Sequence, residues 1–99
     1  MRTMMKVCMP VEAGNKGISE GLLPKTVMAF VEQMKPEASF FGTENGQRTA
    51  FFVFDLKDPT MIPTIAEPFF RHLNAAVTLQ PVMNLGELKT GVENAMKVR

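Results

Sequence analysis

The segment from residue 38 to residue 56, ASFFGTENGQRTAFFVFDL, constrains the fold more than any other part of the sequence. Two apolar runs flank Asn45-Gly46, a dipeptide typical of the type I′ hairpin turn, in which both central residues need positive φ. Centring the turn there pairs Phe40 with Phe51. Because side chains alternate across a strand, the register predicts an aromatic cluster on each face of the hairpin. One cluster is Phe40, Phe51 and Val53, and the other is Phe41, Phe52 and Phe54.

A chain of 99 residues is the size of one domain, and we expect residues 1–99 to form a single one. Its helices suffice to cover one face of a sheet. Each Phe removed from water contributes roughly 1.5 to 3 kcal/mol, so an uncovered aromatic face would be both a large loss and a sticky patch. A second copy of the same sheet is the simplest cover. The sequence therefore predicts a homodimer, without indicating which face forms the interface.

Apolar spacing predicts the other elements of the first half of the chain. Residues 4–11, MMKVCMPV, read as a strand. The next segment, which contains Gly14 and Gly17, is expected to be a loop or a broken helix. From Leu23 the apolar positions follow one helical stripe, and Pro36 is expected to end that helix because the residue before a proline avoids the helical region.

Capping residues mark the elements of the second half. Asp58 is the expected N-cap of a helix that begins near residue 59, and Pro68 is expected to kink or restart it. Asn74 is a candidate left-handed cap. Residues 75–83, AAVTLQPVM, predict a fourth strand that lies at a sheet edge because of its proline. Asn84 and Glu87 predict a capping box for a last helix, whose apolar stripe is Leu85, Leu88, Val92 and Met96.

The order βαββαβ with a trailing C-terminal helix predicts an α+β, ferredoxin-like fold. The sequence resembles the dimeric α+β barrel superfamily, in which two ferredoxin-like chains pack their sheets face to face. The phrases PVEAGN, KPEA, AEPFF, LNA and PVM also resemble a group of small bacterial proteins of unknown function within it. The superfamily includes cofactor-free monooxygenases, haem-degrading enzymes and isomerases, but no stretch of this chain matches their active-site patterns. The resemblance therefore implies a fold and a dimer, and no catalytic residue.

Composition excludes several classes of function. Eleven Lys and Arg residues against ten Asp and Glu residues, with no run of like charges, argue against nucleic-acid binding. Cys8 and His72 are the only cysteine and the only histidine, so multi-cysteine and multi-histidine metal sites are excluded within one chain. No segment approaches the roughly 20 apolar residues that cross a bilayer. We expect a cytoplasmic protein without a metal, a cofactor or a membrane partner.

The candidate site residues surround Pro68. Glu67, Arg71, His72 and Asn74 would gather at a pocket if the proline breaks the helix, with His72 or Glu67 accepting a proton and Arg71 acting as counter-charge. The alternative is an ordinary surface pair between Glu67 and Arg71, with His72 near a helix C-terminus. Asn74, Phe52 and Phe54 are the candidate ligand contacts.

Three hypotheses for function remain open at the level of sequence. The leading one is a homodimer that binds an apolar or aromatic small molecule between sheet and helices. The second is a cofactor-independent monooxygenase or isomerase that acts on a hydrophobic ring. The third is a structural or regulatory dimer without a ligand.

Overall fold

The computed structural model describes residues 1–98. A four-stranded antiparallel sheet is combined with four α-helices, and a short 3-10 turn, Pro59–Met61, precedes the third helix. The strands are β1 Arg2–Met9, β2 Ala38–Glu44, β3 Gln47–Asp55 and β4 Ala76–Pro81. The helices are α1 Val11–Ser19, α2 Leu22–Met34, α3 Ile62–Leu73 and α4 Leu85–Lys97.

The strand order is β2-β3-β1-β4, which together with the helices is consistent with a ferredoxin-like α+β fold. The hairpin register confirms the prediction, because Phe40 lies opposite Phe51. Asn45 and Gly46 have φ values of 53° and 74°, as the type I′ turn requires. β4 pairs only with β1, so its terminal Pro81 lies on an edge strand as expected.

The core lies between the helices and one face of the sheet. Phe52 and Phe54 of β3 are fully buried there, and Phe30 of α2 packs against both rings, with centroid distances of 4.7 and 5.3 Å. Phe69 of α3 completes the cluster, 6.0 Å from the Phe30 ring. Folding of a single chain therefore covers this face at Phe52 and Phe54, whereas Phe41, on the same face of the edge strand β2, remains 62% exposed.

The segment after β1 is a helix, α1, where a loop or a broken helix was expected. Both of its buried residues are glycines. A Cβ atom at Gly14 would lie 2.5 Å from Arg48 Nη1, and one at Gly17 would lie 2.7 Å from the Cδ2 atom of Leu73. These glycines thus allow α1 to approach β3 and α3 closely, and this tertiary packing offsets their low helix propensity.

Helix α3 continues from Ile62 through Pro68 to Leu73, so the helix does not restart at Pro68. Pro68 has no N–H, so the carbonyl of Thr64 lacks its usual helical donor. The side chain of Asp58 accepts a hydrogen bond from Thr60 N at 2.9 Å, as its capping role predicted. Asn74 ends the helix with a φ of 50°, which confirms the left-handed cap.

Helix α4 extends away from the rest of the molecule. None of its residues is buried, and the molecule measures 55 Å along its longest axis but only 28 and 19 Å along the others. The capping box between Asn84 and Glu87 forms as predicted, and Arg2 binds the Glu87 carboxylate at the base of the helix. Within residues 1–98, no helix combines the length and apolar character needed to cross a membrane.

Candidate functional site

The face of the sheet opposite the helices, which we call the open face, has no element of residues 1–98 packed over it. Its middle row runs from Phe40 through Phe51 and Lys6 to Thr78, according to the strand pairing. The Phe40 side chain is 67% exposed, and Phe51 is half-buried by its neighbours. This face therefore presents aromatic surface to solvent in a single copy of the chain.

Some polar side chains on the open face are paired with one another. Lys6 Nζ donates a hydrogen bond to Glu44 Oε2 at 2.6 Å, and this bond raises the pKa of the Lys6 ammonium above its ordinary value. The Cys8 thiol donates a hydrogen bond to Gln47 Oε1 at 3.1 Å and accepts one from Thr49 Oγ1 at 3.6 Å. A surface that covers the part of this face on β1, β2 and β3 would therefore meet polar groups that already have partners.

A groove opens at one end of the sheet, where the sheet and the helices separate. Its volume is about 540 Å³, and it lies between the end of α2, the end of β3 and the 3-10 turn. The lining combines three apolar side chains with an amide and four charged groups. These residues are Met34, Phe54, Met61, Gln33, Lys35, Glu37, Asp55 and Lys57.

The two acids of this groove each have a cationic partner. Arg2 Nε donates to Glu37 Oε1 at 2.6 Å, which raises the pKa of Arg2. The amino group of Met1 lies 2.6 Å from Asp55 Oδ1, and this hydrogen bond lowers the pKa of the Asp55 carboxyl. A second hollow of about 420 Å³ adjoins the groove beneath the start of α4, and these pairs line it together with Glu87.

The proposed acid–base residues lie on the surface of α3. Glu67 and Arg71 form an exposed pair, with Arg71 Nε 3.3 Å from Glu67 Oε1. His72 is exposed, and its Nδ1 atom lies within hydrogen-bond distance, 3.3 Å, of Oγ1 of the buried Thr26. Asn74 is exposed at the helix end. None of these four residues lines the groove at the end of the sheet.

Pro68 does border a gap between α2 and α3, but that gap has a volume of only about 40 Å³. Ligand pockets for small molecules typically measure roughly 300 to 1,000 Å³, so the space at Pro68 suits at most a few waters. Of the other predicted ligand contacts, Phe52 is fully enclosed in the core, whereas Phe54 reaches the lining of the groove.

Sequence reasoning did not single out the groove. No local pattern distinguishes Lys35 or Lys57 from other lysines of the sequence. Only the fold brings Met34 and Lys35, at the end of α2, together with Lys57 and Met61. Neither a protein-family model nor a curated protein matches the sequence. Among residues 1–98, no group of three His, Cys, Asp or Glu side chains is arranged to hold a metal ion.

Proposed function

We propose that this protein is a homodimeric small-molecule-binding protein. Two copies would bring their open faces together as a dimeric α+β barrel, and each α4 would lie on the other copy. The observation that carries the proposal is apolar surface in two places that a single chain leaves uncovered. Phe40 and Phe51 provide it on the sheet, and Leu88, Val92 and Met96 provide it on α4.

The open face and α4 are each too small for a stable dimer interface, which favours an interface that includes both. Four strands about 4.8 Å apart and about seven residues long give the open face a flat outline of roughly 400 Å². A stable specific interface covers about 800 Å² of accessible surface on each partner, so the sheet face supplies about half. Helix α4, about 20 Å long and about 10 Å wide, adds roughly 200 Å² of outline before surface roughness is counted.

The dimer is tested by adding one charge to α4 at two positions. Val92 lies on the apolar stripe, whereas Asn94 lies on the opposite side of the helix, because two residues span about 200°. We expect sedimentation of the native chain to give about twice the 11.0 kDa of one copy. Val92→Lys should weaken association at least tenfold, and Asn94→Lys should leave it unchanged. A folded native monomer, or equal effects of the two variants, would contradict the proposed assembly.

The small-molecule part of the proposal is supported by the groove at the end of the sheet. Its volume falls within the range of ligand pockets, and Phe54 and two methionines supply apolar lining. We expect native mass spectrometry of the freshly purified protein to detect an apolar or aromatic small molecule. A protein that carries none, and that binds none of a panel of aromatic compounds, would contradict this part without affecting the dimer.

The proposal includes no chemical step. Glu67 and His72 are exposed on α3 and border neither the groove nor the small gap at Pro68. A general base must reach the proton that it abstracts, directly or through one water. The geometry therefore favours binding over the oxygenase or isomerase alternative.

A further inference from the structure

We infer that the groove takes an apolar molecule that carries a negative charge, such as an aromatic or aliphatic carboxylate. This inference rests on the small-molecule part of the proposed function and specifies its ligand class. The observation behind it is that the charged groups of the groove are partnered unequally, with its acids paired and its lysines not.

The groove has an apolar interior and a charged rim. Met34, Phe54 and Met61 form the apolar part, and Phe54 is only 1% exposed, so its ring belongs mainly to the core. The half-buried methionines are flexible and can adapt to a flat or an extended ligand. A volume of about 540 Å³ accommodates a body of one or two rings.

The charges around this interior leave a positive excess. Glu37 is bound to Arg2 and Asp55 to the amino group of Met1, each at 2.6 Å, and Arg2 also binds Glu87. Across the described residues, neither Lys35 nor Lys57 has a carboxylate within the 4.0 Å of a salt bridge. Two ammonium groups at the rim are therefore available to an anion.

The C-terminal end of α2 acts in the opposite direction. A helix C-terminus is equivalent to about half a negative charge, which disfavours an anion nearby. With Arg2 shared between Glu37 and Glu87, the four cations around the groove exceed the three carboxylates by one full positive charge, which is larger than this contribution. Lys35 follows the last turn of α2 in the left-handed conformation, with φ 46° and ψ 62°, and its N–H donates to the carbonyl of Val31 at 2.9 Å. This cap places Lys35 at the rim of the groove.

The test compares three probes that share one ring system and differ in charge. They are 2-naphthoate, 2-naphthamide and protonated 2-naphthylmethylamine, titrated into the full-length chain at low salt. We expect naphthoate to bind at least tenfold more tightly than the amide, and the ammonium compound to bind most weakly. High salt should reduce the advantage of naphthoate, since exposed charges are screened.

The variants identify the source of the preference. Lys35→Asn keeps a residue that tolerates the left-handed conformation, and Lys57→Gln keeps side-chain length. The double variant should bind naphthoate and naphthamide within about twofold of each other, whereas Lys25→Gln, at an exposed site on α2, should behave as the native chain. Methyl signals of Met34 and Met61 should shift on binding, and that of Met4 on the open face should not.

Each outcome separates this inference from the proposal on which it rests. Equal binding of naphthoate and naphthamide by the native chain would overturn the charge preference and leave small-molecule binding intact. Shifts confined to Met4 would overturn the location. No binding of any of the three probes would overturn the inference and count against the groove as a ligand site, while sedimentation would still decide the dimer separately.

Discussion

Adding a lysine at Phe51 and at Phe52 should have two different kinds of effect, although the residues are neighbours on β3. Phe52 has no exposed surface, and its ring lies 4.7 Å from that of Phe30 and 6.3 Å from that of Phe69. Removing a buried Phe side chain typically costs about 3 to 5 kcal/mol, and a buried ammonium adds to this cost. Domains of this size are stable by about 5 to 15 kcal/mol. Phe52→Lys should therefore unfold the chain or bring it close to unfolding.

Phe51 faces the other way. It lies between Phe40 of β2 and Lys6 of β1 on the open face, so a lysine there remains in contact with water in a single copy. In the proposed dimer the half of each ring that is still exposed would leave water, at roughly 0.8 to 1.5 kcal/mol per ring. Losing about 1.5 to 3 kcal/mol would weaken the dimer by roughly 10 to 10² in Kd.

The assay combines sedimentation equilibrium with thermal melting followed by circular dichroism. Phe51→Lys should give a folded monomer, and Phe52→Lys should give little cooperative melting. Asn94→Lys, at an exposed position of α4, adds the same single charge and is the control. The reasoning fails if Phe51→Lys sediments as the native protein does, or if Phe52→Lys melts at the native temperature.

Three further changes test the local structure. Gly46→Val should lower the free energy of unfolding by about 1 to 2 kcal/mol, and with it the melting temperature, because φ is 74° there. An unchanged melting midpoint would contradict the assignment of the turn. Gly17→Ala should destabilise the protein, because the added Cβ would clash with Leu73. Gly91→Ala should stabilise α4 slightly, because its added Cβ would lie no closer than 4.0 Å to another side chain. If Gly91→Ala melted at the lower temperature of the two, the described packing of α1 would be contradicted. The pKa of Glu87 is lowered first by the hydrogen bond that its carboxylate accepts from Asn84 N, and also by the positive charge of Arg2. The stability that ionised Glu87 contributes is therefore fully present above its unfolded-state pKa of about 4.3 and is lost as the pH falls through its lower pKa in the folded protein. The helical circular-dichroism signal should decrease in acid for the native chain, and less for Glu87→Gln.

The features that could be predicted from the sequence depend on residues close together in the chain. The Asn45-Gly46 turn, the Asn74 cap and the Asn84–Glu87 capping box each express a backbone preference within four residues. The hairpin register followed from the turn, and with it the division of the phenylalanines between two faces. Which face the helices cover was not predicted, although β3 itself favours the face of Phe52, because Thr49 and Asp55 lie on the other face.

The features that could not be predicted depend on distant contacts. Helix α1 contains two glycines that reduce local helix propensity, and it forms because Arg48 and Leu73 pack against it. The groove joins the end of α2 to the end of β3 and the 3-10 turn, and no local pattern marks its residues. Conversely, Pro68 suggested a pocket near His72 and Glu67, but α3 continues through it and both side chains are exposed.

The isolation of α4 has a consequence for the lifetime of the protein in a cell. A helix of 13 residues is marginal in water by itself, and α4 is held to its own copy mainly at its first turn, through Arg2 and Glu87. In a single copy this helix would fray, and the backbone around the already exposed Val92 and Met96 would lose its helical hydrogen bonds and become accessible to proteases. If two copies pair as proposed, degradation would remove single copies in preference to dimers, and the abundance of the protein would rise more steeply than its rate of synthesis.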